Sequence, residues 1–507
     1  MSNRIDRVMA HLWQRIKGTR SQRYELLPLA EKEPVSSKYR KHHSTSLRRT
    51  GLYLVVLAIL LACYGLFRSS AAPTSNKSCD TIDDGYRCSP ETSHFWGQYS
   101  LWFSVPSKID VEPPEGCAVS FASVLSRHGG RDPTMSKTIV YGATVGLIQN
   151  TSTAFPDEYA FLKDYEYTLG ADQLTDAGRQ EMVNSGAHFY RRYKEFLEGK
   201  TPFVRSSGQD RVVESANKWL AGYAQAAHKK TGTIDVKIPE AAGVNNTLSH
   251  EICTNFEDGP LSDVGDDAQA VWMAKFVPPI QARVNGKLGT NLSITETLYL
   301  MDLCPFTTLA SAGAQISDFC HLFTEEEWHQ YDYYESLGKW YGYGNGNPLG
   351  PSQGIGYVSE LLARLTESPV QAVGSVNSTL DKNPATFPLD RKVYADFSHD
   401  NDMTGVLAAL GLYNNTKPLS NTSVESTKQT NGYSAAWTVP FAARIYVEKL
   451  TCRRAKEEYV RIVVNDRVMP LDFCGGDKYG RCTLSKFVES QSFTRTGGHW
   501  DQCFNSS

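Results

Sequence analysis

Residues 125–137 read LSRHGGRDPTMSK, which gathers Arg127, His128 and Arg131 around two glycines. A turn has use for Gly and Pro, but no structural need for two guanidinium groups beside an imidazole. Two further segments carry charged groups at a similar place. Arg205 ends TPFVR at 201–205, and His399-Asp400 follows VYADFS at 393–398. Guanidinium forks match phosphate oxygens and stay charged at any working pH. Phosphoryl transfer is chiefly positioning and stabilisation of charge on the equatorial oxygens. In a pocket built from these segments, Arg127, Arg131 and Arg205 would hold a phosphoryl group. His128 would attack phosphorus, and Asp400 would protonate the departing alkoxide. The arginines do the neutralising, so no metal and no other cofactor is called for. Taken singly, the three signals read as a solvated turn, a surface charge and a helix cap. Their joint occurrence at strand ends carries the functional reading.

The elements that must position these groups are legible as alternating strands and helices. Cys117 to Leu125, CAVSFASVL, is an apolar run of strand length leading into the Arg-His turn. Thr175 can cap a helix with Met182, Phe189, Tyr193 and Phe196 on one face. Residues 201–205 read as a strand followed by a helix carrying Val212, Ala216, Trp219 and Tyr223 at spacings of three and four. Val393 to Ser398 is a strand, and the helix DMTGVLAAL after it stops at Gly411, a C-cap. Such units predict an α/β sheet covered by helices, with ligands bound outside the carboxyl ends of the strands. Residues 166–300 are helix-rich and predict a second lobe.

The chain of 507 residues is too long for one ordinary core. Apolar and charged contents of 41% and 21% fit a globular protein. Its net charge of −3 is unevenly placed: residues 1–50 hold 12 Lys+Arg against four acids, so they carry +8 and the remainder −11. An acidic body speaks against nucleic acid as a partner. Residues 51–67, GLYLVVLAILLACYGLF, are uncharged and just long enough to span a bilayer. Five Lys+Arg at 36–50 against two at 68–82 put the N-terminus in the cytosol. The reading is a single-pass type II protein: basic tail 1–50, mostly disordered; signal anchor 51–67; stalk 68–78; body 79–507, lumenal, vacuolar or extracellular. A cleaved signal and a secreted body is the alternative. Asn-X-Ser/Thr sequons at Asn76, Asn150, Asn245, Asn291, Asn377, Asn414, Asn421 and Asn505 all follow the span and imply N-linked glycans. Ten of the 11 cysteines also follow it, which implies five disulfides of open connectivity. Tyr24-Glu25-Leu26-Leu27 has the form of a tyrosine-based sorting signal, a match that arises often by chance.

RHGGRDPT resembles the RHGxRxPT signature of histidine acid phosphatases, and SHDN at 398–401 their distal His-Asp motif. LGADQLTDAGRQEMVNSG, PFVRSSGQDRV, YGNGNPLGPSQGIGY and WTVPFAARIYVE resemble segments of fungal phytases in the same order, so the likeness runs from about Cys79 to Cys503. The resemblance implies a phosphoglycerate mutase-like fold, a large α/β domain with a smaller helical one. It implies a phosphomonoester hydrolase acting through a phosphohistidine, with inositol hexakisphosphate as substrate (3-phytase type). His128 would be the nucleophile and Asp400 the proton donor, with Arg127, Arg131, Arg205 and His399 on the scissile phosphate. Gln98, Tyr99, Lys137 and Lys339 fall where phytases contact inositol phosphates. The family's disulfides would be Cys79–Cys88, Cys117–Cys452, Cys253–Cys503, Cys304–Cys320 and Cys474–Cys482. Two departures stand out: Asp132 replaces a usual aromatic residue, and Gly338 replaces a frequent second lysine. Each would make the pocket less positive. A broad-specificity acid phosphatase is therefore kept as an alternative. An inactive membrane-tethered binding glycoprotein and a phosphoglycerate mutase-type enzyme are the other readings.

Overall fold

The computed structural model describes residues 79–504. One mixed sheet organises them, with strand order β3-β2-β4-β1-β5-β6-β7 and β8 also on β6. The strands are β1 Cys117–Arg127, β2 Phe203–Ser207, β3 Val236–Ile238, β4 Val393–Ser398, β5 Arg444–Cys452, β6 Tyr459–Val464, β7 Arg467–Val468 and β8 Arg481–Thr483. The first four run parallel, and β5 joins β1 antiparallel. The main helices are α1 Met135–Thr151, α2 Asp176–Tyr193, α3 Asp210–Ala227, α4 Val264–Leu288, α5 Ile294–Ala310, α6 Glu325–Tyr343, α7 Gly350–Thr366 and α8 Asp400–Ala409.

Period-two alternation sends successive side chains to opposite faces of the sheet. Ala122, Val124, Val204, Val393, Ala395 and Phe397 face α2 and α3, where Met182, Phe189, Trp219 and Tyr223 meet them. Phe121, Leu125, Phe203 and Tyr394 face the other way, into a core that runs on through α7 and α8 to α4, α5 and α6. The helices of this second layer thus share one continuous apolar cluster with the sheet. Within 166–300, strands β2 and β3 are interleaved with the helices.

Thr175 caps α2 by accepting from Gly178 N, as its position predicts. Phe196, expected on the same face, lies beyond the helix, which ends at Tyr193. The strand expected at 201–205 begins two residues later, at the point where pairing with β4 starts. The five disulfides join the pairs that the family resemblance implies. The tail, span and stalk expected at 1–78 lie outside the described residues. Among the described residues no helix is long and apolar enough to cross a membrane.

Candidate active site

Register brings the motifs together. Arg127 of β1 pairs with Ser398 of β4, so His128 and His399 leave neighbouring strands at the same level. Their rings sit 5.6 Å apart, edge to face. The His128 turn is pinned on three sides: His128 N donates to Ser398 O (3.2 Å), Gly129 N to Ser215 Oγ of α3 (3.1 Å) and Gly130 N to Glu181 Oε2 of α2 (2.9 Å). The two glycines let backbone meet backbone, since a Cβ on Gly129 would stand 2.2 Å from Gly178 O at the start of α2.

His128 is buried, and its Nδ1 lies 2.8 Å from Gly129 O. A carbonyl only accepts, so Nδ1 carries the proton and Nε2 keeps its lone pair. Burial, then Arg127, Arg211, Arg131 and His399, push the imidazole well below its ordinary pKa. The depression favours the neutral imidazole that a nucleophile requires. Arg127 lies over the Phe441 ring, 4.4 Å from its centroid, and donates to the carbonyls of Gln98 and Val439. Asp400 opens α8, with Lys339 Nζ 2.6 Å and Arg127 Nη2 3.3 Å from its Oδ2. Burial opposes its ionisation, but Arg127 and Lys339 outweigh burial and hold the carboxyl well below the usual range. His399 is oriented by Glu240, Nε2 to Oε1 at 2.8 Å, and Glu240 also accepts from Ser207.

A cleft of ≈ 650 Å³ opens beside these groups, with Arg127 and His128 buried behind its lining. Arg131, His399, Asp400, Lys339, Lys137, Gln98 and Tyr99 all line it. Lys137 Nζ stands 3.8 Å from Asp302 Oδ2 and over the Tyr299 ring. Arg205 does not line the cleft. It sits mid-strand, opposite Asp396 on β4, and alternation turns it toward α7. There it bonds Asp396 Oδ1 (2.7 Å) and Glu360 Oε2 (2.5 Å), and Arg364 bonds the other oxygen of Asp396. Arg211, the second residue of α3 and absent from the sequence reading, does line the cleft. The missed signal was the motif GQDRV, in which the arginine opens the helix after β2. Burial and Arg131 lower the Arg211 pKa, with its nearest acid, Asp172, 3.5 Å away.

Both departures from the family pattern have a structural outcome. Asp132 is absent from the cleft lining; its carboxylate lies against Gly170. Gly338 does line the cleft, and a Cβ there would come 2.6 Å from Gln269 Nε2, so an amide occupies that space. The most telling feature is unmet hydrogen bonding. Arg127 Nε, Arg131 Nε and Arg211 Nε are buried with no hydrogen-bond partner among the described residues, and Arg127 Nη2 has only its ion pair with Asp400. Buried donors of this kind are costly unless something accepts from them, and a phosphoryl group supplies acceptors on every side.

A guanidinium-lined pocket at the carboxyl end of this sheet, beside a buried histidine, defines a phosphohydrolase class that sequence comparison identifies. The chain belongs to the histidine phosphatase superfamily (branch 2), whose family profile matches residues 118–465. A protein named Phytase A from Aspergillus oryzae is 51% identical over 468 residues, covering 89% of this chain and 100% of the relative. Phytase A of Neurospora crassa is 45% identical over 512 residues, covering 89% and 99%. Among solved structures, the phytase from D. castellii superposes with a TM-score of 0.68 at 22% identity, over 87% of this chain and 92% of that one. A Bifidobacterium longum multiple inositol polyphosphate phosphatase, bound to inositol hexasulfate, reaches 0.52 at 12% identity, over 78% and 97%. At these identities the likeness is one of fold.

Proposed function

We propose that this protein is a phytase, a phosphoric monoester hydrolase that removes phosphate from inositol hexakisphosphate. The observation that carries the reading is the set of unpartnered guanidinium N–H groups around His128. Relatives named Phytase A at about half identity over nearly their whole length support it. Arg127, Arg131, Arg211 and His399 hold the scissile phosphate. Arg205 braces β2 against α7 and takes no part in binding. Nε2 of His128 attacks phosphorus, the P–Nε2 bond forms and the ester P–O bond breaks, and Asp400 gives its proton to the leaving oxygen. Water then attacks the phosphohistidine, Asp400 takes the water's proton, and the P–N bond breaks to free phosphate and His128. Asp400 is ionised before substrate arrives. An anionic phosphate among the guanidinium groups cancels much of the field that holds it so, and the carboxyl takes up a proton together with substrate. Gln98, Tyr99, Lys137 and Lys339 face the remaining phosphates of the ring. Hydrolysis of inositol hexakisphosphate and of p-nitrophenyl phosphate, side by side, tests the assignment. A kcat/KM no higher for the inositol phosphate would replace it with the broad acid phosphatase reading.

The organisation of the chain is part of the proposal. The disulfides support maturation of the body in an oxidising compartment. The sequon asparagines among the described residues (150, 245, 291, 377, 414 and 421) are exposed or half-exposed, as glycan attachment requires. The uncharged stretch 51–67 behind a basic tail supports a signal anchor. Protease treatment of sealed vesicles checks it: a digested tail with a protected body is expected, and a mature N-terminus near Ala71 would mean cleavage and a secreted protein.

A further inference from the structure

Gln98 and Glu335 form an amide–carboxyl pair in the wall of the cleft. Both residues line the cleft, and both are buried, with 6% of each exposed. Gln98 Nε2 donates to Glu335 Oε2 at 2.5 Å, while Gln98 Oε1 has no partner among the described residues. The turn Gly97–Tyr99 is pressed onto α6 at this point. Gly97 has φ +57, and a Cβ on it would stand 2.3 Å from Glu335 Cβ. The pair is therefore held together by backbone packing. With Glu335 ionised, the amide must give its N–H₂ to the carboxylate, which leaves the acceptor Oε1 as its free end. With Glu335 protonated, the acid donates O–H to Oε1, the amide turns over, and its N–H₂ becomes free.

We propose that Glu335 is a positioning residue whose protonation sets whether Gln98 offers a donor or an acceptor to an anionic ligand in the cleft. The inference rests on the inositol phosphate reading of this site. The groups that face Glu335 favour a proton in the working range. Asp302 of α5 confronts it, and Asp302 is itself bonded by Tyr141 of α1 and Tyr331 of α6. Lys137 of α1 and Lys339 of α6 act against them. Tyr99 and Tyr334 complete the surroundings and stay neutral, their phenols raised by burial. Burial and then Asp302 push Glu335 above the ordinary carboxyl range. In acid, therefore, Glu335 is neutral and Gln98 donates. Toward neutral pH the carboxylate forms and Gln98 keeps its carbonyl as its unpaired end, so a polyanion meets an acceptor where it had met a donor.

The test uses inositol hexasulfate, whose sulfates do not titrate in this range, as an inhibitor of p-nitrophenyl phosphate hydrolysis between pH 4.5 and 7.5. Because the probe keeps its charge, any difference in pH dependence between wild type and variant belongs to the protein. In the wild type Ki should rise steeply as Glu335 ionises. Glu335→Gln, which cannot ionise, should remove about tenfold of that rise, the scale of one hydrogen bond to a charged group. Gln98→Leu should remove a comparable part, and the two substitutions together should do no more than either alone. Parallel Ki profiles for wild type and both variants would overturn the proposal. If Glu335→Gln proves unstable, Gln98→Leu decides alone, because it leaves α6 untouched. Failure of the wild type to hydrolyse inositol hexakisphosphate would refute the phytase assignment separately, since the Ki measurement does not depend on that activity.

Discussion

Replacing Arg211 and Arg205 one at a time separates binding from bracing. Arg211 reaches the cleft, keeps a buried N–H without a partner, and has its nearest acid 3.5 Å away. Arg211→Ala thus removes a donor aimed at transferring charge, which costs about 10²–10³ in kcat/KM. Little stability should go with it. Arg205 is fully engaged with Asp396 and Glu360. Breaking a buried pair costs about 3–5 kcal/mol by leaving its partner uncompensated. Arg364 still holds Asp396, and Thr247 still donates to Glu360, so the lower end applies. With unfolding entropy near 2.1 cal/mol/K per residue, a body of this size should lose about 3–4 °C in Tm. Arg205→Ala should otherwise turn over within a few-fold of wild type. Thermal scans and steady-state kinetics on inositol hexakisphosphate, run on both variants, check this. An Arg205→Ala protein that is inactive at unchanged Tm, or an Arg211→Ala protein within threefold of wild type, would refute the division of roles.

Further expectations concern the reaction itself. His128→Ala should abolish turnover, and no phosphoenzyme should be trapped from it by acid quench. Asp400→Asn should slow alkyl phosphates by orders of magnitude and p-nitrophenyl phosphate far less, because a good leaving group departs unprotonated; equal losses would argue against Asp400 as the acid. The imidazole of His128 is depressed by burial and then Arg127, so the acid limb of kcat/KM should fall well below the free histidine value of about 6.5. The same depression makes this site stabilising above that value and costly below it, since the unfolded chain binds the proton first. Binding of inositol hexasulfate should take up a proton, read by calorimetry in buffers of different ionisation enthalpy; no uptake would count against protonation of Asp400 with the ligand. Chelators should leave turnover intact, as the guanidinium groups neutralise the phosphate.

Much of this arrangement was written in local chemistry. Cys117–Leu125 and Val393–Ser398 are apolar runs that end in charged motifs, and a parallel pair with level ends must place those motifs side by side. Arg205 shows where such reasoning breaks. A strand end seen in sequence does not say which face its last residue takes, and a shift of two residues put Arg205 inside β2 opposite Asp396. Arg211 stands in the first turn of α3, where a basic residue is unfavourable to the helix dipole unless an anion offsets it. Glu181, Ser215 and Glu240 hold the site from distant elements, and only the folded chain brings them within reach of it.

The bond between Cys117 and Cys452 ties the outer end of β1 to that of β5 across 335 residues of sequence. During synthesis at about 5–20 residues per second, Cys117 therefore waits roughly 17–67 s for its partner to be made. Cys253, Cys304 and Cys320 are translated in the interval. Cys304 and Cys320, only 16 residues apart, can close almost at once, but Cys253 must itself wait for Cys503. Two long-lived thiols are thus exposed to each other on the nascent chain before either proper partner exists. Production of active protein should depend on how quickly a wrong Cys117–Cys253 bridge is exchanged, so that yield follows the isomerase capacity of the host rather than its rate of translation.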